Sequence, residues 1–170
     1  YATADSFEDL VEIRDIDQNL HGAITRSQIA AQLPWMGLDG GPDGPSGLAW
    51  SDSGRLLFIL VHDANLPGDG LPSDAVLRYD LGTGSLSVFT RLELFDRDDL
   101  WPHLAAVHFK GRLYVGTFGF GGPGSVRVYQ ATANTTAGGL LSSAALPGGD
   151  SVHGLAIDRA NSFLYAASES

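Results

Sequence analysis

The chain has 170 residues, a formal net charge of -10 at pH 7, 44% hydrophobic and 18% charged residues, and no cysteine. That is one ordinary domain with enough apolar residues to bury a core. The charge argues against nucleic acid and anionic membrane surfaces as partners, and the missing thiols exclude a disulfide framework and a thiolate metal site.

No run approaches the roughly 18 apolar residues of a membrane span. The 22 glycines and 8 prolines favour turns over long helices. Tyr1 is not an initiator methionine, from which upstream trimming is expected; the setting expected for the chain is extracellular or periplasmic. "NTT" at Asn134 fits a glycosylation sequon, a pattern common by chance.

In chain order, "DLVEIRDI" from Asp9 and "AITRSQIAAQL" from Ala23 resemble a strand pair, an outer pair spanning 8–33, although "RSQIAAQL" alone passes for a helical turn. "PSGLAWSDSGRLLF" from Pro45 then reads as strand, tight turn and strand. "AVLRYDLGTGSLSVFTRLEL" from Ala75 reads the same way around "GTG". The two together form a four-stranded unit over 46–94.

A second unit covers 103–146, with "PHLAAVHFKGRLYV" from Pro102 and "SVRVYQATANTTAGGLLSSAAL" from Ser125. A third inner pair covers 153–170, from "VHGLAIDRANSFLY".

The inner pairs align without gaps. With Ser46, His103 and His153 as position zero, position +3 is Ala49, Ala106 and Ala156. Position +8 is Gly54, Gly111 and Asn161, residues that tolerate positive φ in a turn. Four short antiparallel strands per 40–50 residues is the blade of a β-propeller. The expected fold class is therefore all-β, a propeller portion of about three blade equivalents in a single unit over 1–170. Such a portion is expected to belong to a longer chain or an oligomeric ring. A second fragment or a second copy would then supply the remaining blades.

"SGLAWSDSGRLLF" resembles the inner strands of the regucalcin/gluconolactonase group, and "PHLAAVHFKGRLYV" and "VHGLAIDRANSFLY" resemble NHL-type blades. The resemblance implies a six-bladed ring. In the regucalcin-like enzymes position zero lies at the mouth of the central channel, where a Glu, an Asn and an Asp hold a divalent metal, usually calcium. Carried over, those positions are Ser46, His103 and His153. None is an acid or amide, which puts calcium in doubt. Two imidazoles suit zinc, and related six-bladed lyases hold zinc with channel histidines. His103 and His153 are thus the candidate metal ligands and catalytic residues, with Ser46 a polar contact. NHL-type binding propellers carry His at this position with no metal.

The loop "HDANLPGDGLPSDA" is expected on the same face and offers Asp63, Asn65, Asp69 and Asp74. Asp63, Asn65, Gly68 and Asp74 also fall at places of a calcium-loop pattern, but Pro67 replaces a ligand and the last is Asp. "LFDRDDLW" adds Asp99 and Trp101 to an acidic rim suited to a cation or a polar small molecule. "GFGGPG" from Gly119 joins two strands and is a turn rather than a phosphate cradle.

Two functions follow: a metal-assisted hydrolase of ester or lactone type, or a lyase, acting on a small molecule at the channel, or a non-catalytic propeller binding a ligand or protein on its loop face.

Overall fold

The computed structural model describes residues 1–5, 10–36, 44–62, 74–92, 105–117, 124–147 and 151–169. The first sheet has the order β1 (Ala2–Asp5), β2 (Leu10–Arg14), β3 (Leu20–Ile24), and α1 (Arg26–Gln32) follows it. A four-stranded sheet comes next, with β4 (Gly44–Trp50), β5 (Leu56–His62), β6 (Asp74–Asp80) and β7 (Ser85–Leu92) side by side in chain order. β8 (Ala105–Phe109), β9 (Arg112–Thr117), β10 (Ser125–Gln130) and β11 (Leu140–Ala145) repeat that arrangement. β12 (Ser151–Asp158) and β13 (Phe163–Glu169) form a hairpin. Pairing is antiparallel throughout.

The leading strands β1, β4, β8 and β12 are successive neighbours. Each sheet thus presents its first strand to a common inner side and fans outward. This is the all-β propeller architecture anticipated from the repeat.

The core follows from the two-residue period of strands. Every residue of β5 is buried, because its blade is covered on both faces. Leu56, Phe58 and Leu60 join Phe89, Leu113, Val115 and Tyr129 between the two four-stranded blades. Leu57, Ile59 and Val61 join Val11, Ile13, Ile24, Ile29 and Leu33 on the other side. Phe58 and Phe89 meet edge to face at 5.0 Å, a favoured aromatic geometry.

One N-terminal expectation is corrected. "AITRSQIAAQL" is not a strand: it finishes β3 at Ile24 and then turns into α1. Gln28 Oε1 accepts the Thr25 N–H at 2.9 Å, which is half of a capping box. Ile29 and Leu33, four apart, put one helical face into the core, and Ala30 and Ala31 favour the helix between them.

The repeated turns differ in detail. Lys110 and Gly111, at φ 49 and 71, make a two-residue turn, the type I′ geometry that suits strand twist. Gly54, at φ 69, serves a longer turn in the first copy. In the third copy the left-handed residue is Ser162, at φ 59, and not Asn161. The cause is Asp158, whose Oδ1 accepts the Ala160 and Asn161 N–H groups at 3.0 and 3.1 Å. Asn161 Nδ2 donates to Asp158 Oδ2 at 2.7 Å. This local turn moves the reversal one residue on.

The three inner turns are tied together at the end of the blades opposite position zero. Asp52 accepts the Lys110 N–H at 2.7 Å and a hydrogen bond from Arg159 Nη1 at 2.5 Å. The Asp52 N–H donates to His108 Nδ1 at 3.2 Å, and His108 Nε2 donates to Ala131 O at 2.8 Å. These bonds assign the neutral Nε2–H tautomer to His108. His108 is buried and stacks on Phe58 at 5.7 Å, so it is a structural histidine between blades.

Candidate functional site at the end of the inner strands

β4 and β12 begin at one end of their blades, and both are interrupted there by a β-bulge. In the first copy the register slips between Pro45 and Gly47, which leaves Ser46 as the extra residue. In the third it slips between Val152 and Gly154, which leaves His153 as the extra residue. Position zero is therefore a bulge in both copies. A bulge releases a side chain from the in-out alternation of its strand and re-aims it. Ser46 is half-buried, and its hydroxyl lies 3.4 Å from Leu60 O. His153 is exposed. Between these two strands runs β8, whose own position zero, His103, lies outside the described residues.

Val152, the neighbour of His153, is fully buried. A Cβ on Gly116 of β9 would lie 2.4 Å from Val152 Cγ1. The absence of a side chain at Gly116 thus lets β12 seat against the preceding blade, and that contact fixes the bulge bearing His153.

The same end of the first blade carries a feature that was not assembled from the sequence. Gly44, His62, Asp74 and Leu92 stand in one row across β4 to β7. Within that row His62 Nδ1 is 2.5 Å from Asp74 Oδ1, with side chains only 2% and 4% exposed. Asp74 was expected among the loop acids. Instead it and His62, the last residue of β5, close the two sides of one loop. The available signal was length: two seven-residue strands flank that loop, and paired end to end they set His62 opposite Asp74. Asp74 in this pairing does not serve as the last ligand of a calcium loop.

Asp63, Asn65, Asp69, Asp99 and Trp101, like His103, lie outside the described residues. Of the sequence-derived site, the structure brings Ser46 and His153 to the same end of the inner strands. Among the described residues, no three His, Asp or Glu side chains cluster closely enough to hold a metal ion. Among them also, no helix is long and apolar enough to cross a membrane.

No family model matches this chain, and no curated protein matches it. Among solved structures it is similar to the periplasmic gluconolactonase of Pseudomonas aeruginosa, with a TM-score of 0.55 and 16% sequence identity. The alignment covers 93% of this chain and 43% of that one, so the chain spans less than half the length of that structure. At this identity the likeness is one of fold, and it places the chain's sheets in the arrangement of a β-propeller.

Proposed function

We propose that this chain forms part of a six-bladed ring that hydrolyses a small ester or lactone at the mouth of its central channel. The observation that carries the reading is the shared bulge. It sets Ser46 and His153 at the same end of inner strands, in a fold shared with a protein described as a gluconolactonase. The remaining blades come from further chain or a second copy. An extracellular or periplasmic setting accords with the periplasmic origin of that structural neighbour.

Neither Ser46 nor His153 offers the carboxylate oxygen that calcium prefers, so calcium does not suit these positions. Imidazole suits zinc. In this reading His103 and His153 would hold zinc, which supplies a water acidic enough to attack an ester near neutral pH. Ser46, whose hydroxyl both donates and accepts, would orient the substrate. The acids expected on the rim would favour neutral or cationic substrates over phosphates.

The test is base-uptake titration (pH-stat) with D-glucono-1,5-lactone and a panel of aryl esters. Turnover above the uncatalysed rate is expected, with His153→Ala reducing kcat/KM at least about 100-fold. Absence of turnover across the panel, with and without added zinc, would refute this function. Retained binding of a ligand or protein would then favour the non-catalytic reading.

A further inference from the structure

We propose that Asn134 is the acceptor of an N-linked oligosaccharide once this chain is exported. The inference rests on the extracellular or periplasmic setting proposed above and on no feature of the hydrolase itself.

The sequence holds four asparagines: Asn19, Asn65, Asn134 and Asn161. Only Asn134 is followed two residues on by a hydroxyl side chain, in Asn134–Thr135–Thr136, and the residue between is not proline. The pattern alone is common by chance. The fold sets this asparagine apart, because the amides have different tasks. Asn19 Nδ2 donates to Asp15 Oδ2 at 2.9 Å, and Asn161 Nδ2 donates to Asp158 Oδ2 at 2.7 Å. Both are committed to their own turns. Asn65 lies outside the described residues. Asn134 is exposed, and among the described residues no acceptor holds its amide.

The loop that carries Asn134 is an addition to the blade pattern. In the first four-stranded blade Asp80 pairs with Ser85, and 81–84 make the outer turn. In the second, Tyr129 pairs with Leu140, and 130–139 lie between them. The added residues bury little: 132–134, 136 and 137 are exposed. Their backbone is nonetheless fixed. The Thr135 N–H donates to Thr132 O at 3.0 Å, and the Thr132 N–H donates to Thr135 Oγ1 at 3.1 Å. Arg78 Nη2 donates to Ala133 O at 3.3 Å, and the Gly138 N–H donates to Phe89 O at 2.6 Å. The loop is thus moored to the neighbouring blade on both sides of Asn134. Thr135 is spent on the turn, while Asn134 and Thr136, the two residues the motif specifies, both face solvent.

Placement agrees with the proposal. The loop lies at the turn end of its blade, where the Ala131 N–H donates to Gly111 O at 2.8 Å. Ser46 and His153 lie at the opposite end. A bulky, solubilising oligosaccharide on Asn134 therefore stands clear of the channel mouth. A glycan attached before folding must also be tolerated after it, and an exposed, moored loop beside the outer strands meets both conditions.

The step balances. The donor is an oligosaccharide carried on a lipid pyrophosphate, and the catalyst is a transferase of the export pathway. Asn134 Nδ2 bonds to the anomeric carbon as the bond from that carbon to the pyrophosphate oxygen breaks. The lipid pyrophosphate leaves with the electron pair, and the amide gives one proton to a base of the transferase. The Thr136 hydroxyl is the group read beside the acceptor.

The test is translation of the full chain, behind a cleavable leader, into microsomal vesicles. Translocation is scored separately by protection from protease. The protected chain should migrate more slowly than the untranslocated one. Peptide-N-glycosidase F in heavy-oxygen water should reverse the shift and leave labelled aspartate at position 134 alone. Asn134→Gln and Thr136→Ala should abolish the shift, whereas Thr136→Ser should keep it. A chain that is protected but not shifted overturns the proposal without touching the setting, as does a shift that survives Asn134→Gln. The readout is independent of turnover, so a glycosylated chain without lactone hydrolysis removes the hydrolase and leaves this site standing.

Discussion

Gly116→Ala tests how the site is held. The change adds one methyl group at a position whose backbone tolerates any residue, since Gly116 is not among the positive-φ glycines. The cost is therefore steric. The new Cβ would lie 2.4 Å from Val152 Cγ1 and 2.7 Å from Val152 Cβ. Ordinary contact begins near 3.4 Å, so one strand must retreat by about 1 Å. Val152 is fully buried, and such overpacking costs about 1–3 kcal/mol. In a domain of this size each kcal/mol moves Tm by about 2–4 °C, so the expected fall is about 2–12 °C. Val152→Ala alone should also destabilise, by lost burial and a cavity. Combined, the two changes should relieve each other, because the truncated side chain makes room for the added methyl. Thermal and urea unfolding of the four proteins should give a coupling energy of about 1 kcal/mol or more. Additivity within about 0.5 kcal/mol would show that β9 and β12 do not meet as described. Activity should fall with Gly116→Ala and return in part with the double variant, since β12 carries His153.

Two further predictions concern the turn end of the blades. Asp80 is held below the ordinary carboxylate value by the Arg55 guanidinium, against burial, with help from the Gly82 N–H. At Asp52 burial pushes upward, but the Arg159 guanidinium and the Lys110 N–H outweigh it. A carboxylate whose folded value is depressed stabilises the fold above its unfolded value of about 3.9, and that contribution is lost as pH falls through the folded value. Tm should therefore hold between pH 6 and 5 and drop below about pH 4, with a shallower drop in Asp52→Asn/Asp80→Asn; equal drops would contradict the assignment. In the turns, Gly111→Ala should cost more than Gly54→Ala. Both have φ near +70, but a Cβ on Gly111 would crowd Thr132 at 3.2 Å while Gly54 faces open space. The reverse order in urea unfolding would refute the turn geometry.

The readable part of the molecule was the part governed by short-range rules. The repeated strand–turn–strand pattern marked the hairpins, and the need for a left-handed residue marked the turns at Gly54 and Gly111. Where two local preferences competed, the sequence misled. Residues 26–32 carry apolar positions compatible with a strand or a helical turn, and packing of Ile29 and Leu33 against the blade decided for the helix. At Asn161 the side chain and N–H of a turn-favouring residue were captured by Asp158, and the positive φ passed to Ser162. The His62–Asp74 pair depends on the register between β5 and β6, strands too far apart in sequence for a two-residue turn to set it. No composition rule applied to either residue alone would join them.

The bulges explain why position zero can differ between copies while its surroundings agree. A residue within the regular ladder must satisfy the pleat: Leu56, Phe58 and Leu60 are all committed to one face because every second residue is. A bulged residue stands outside that count. Pro45 pairs with Val61 and Gly47 with Leu60, so Ser46 has no partner position of its own across the sheet. Val152 and Gly154 do the same around His153. Serine in one copy and histidine in the other occupy the same bulge in the same register. The propeller can therefore hold its blades constant and vary chemistry at this position. His153→Ala should accordingly leave Tm within about 2 °C of wild type, about 0.5 kcal/mol, as expected for an exposed position outside the ladder. A larger loss would mean that the histidine is holding the bulge rather than using it.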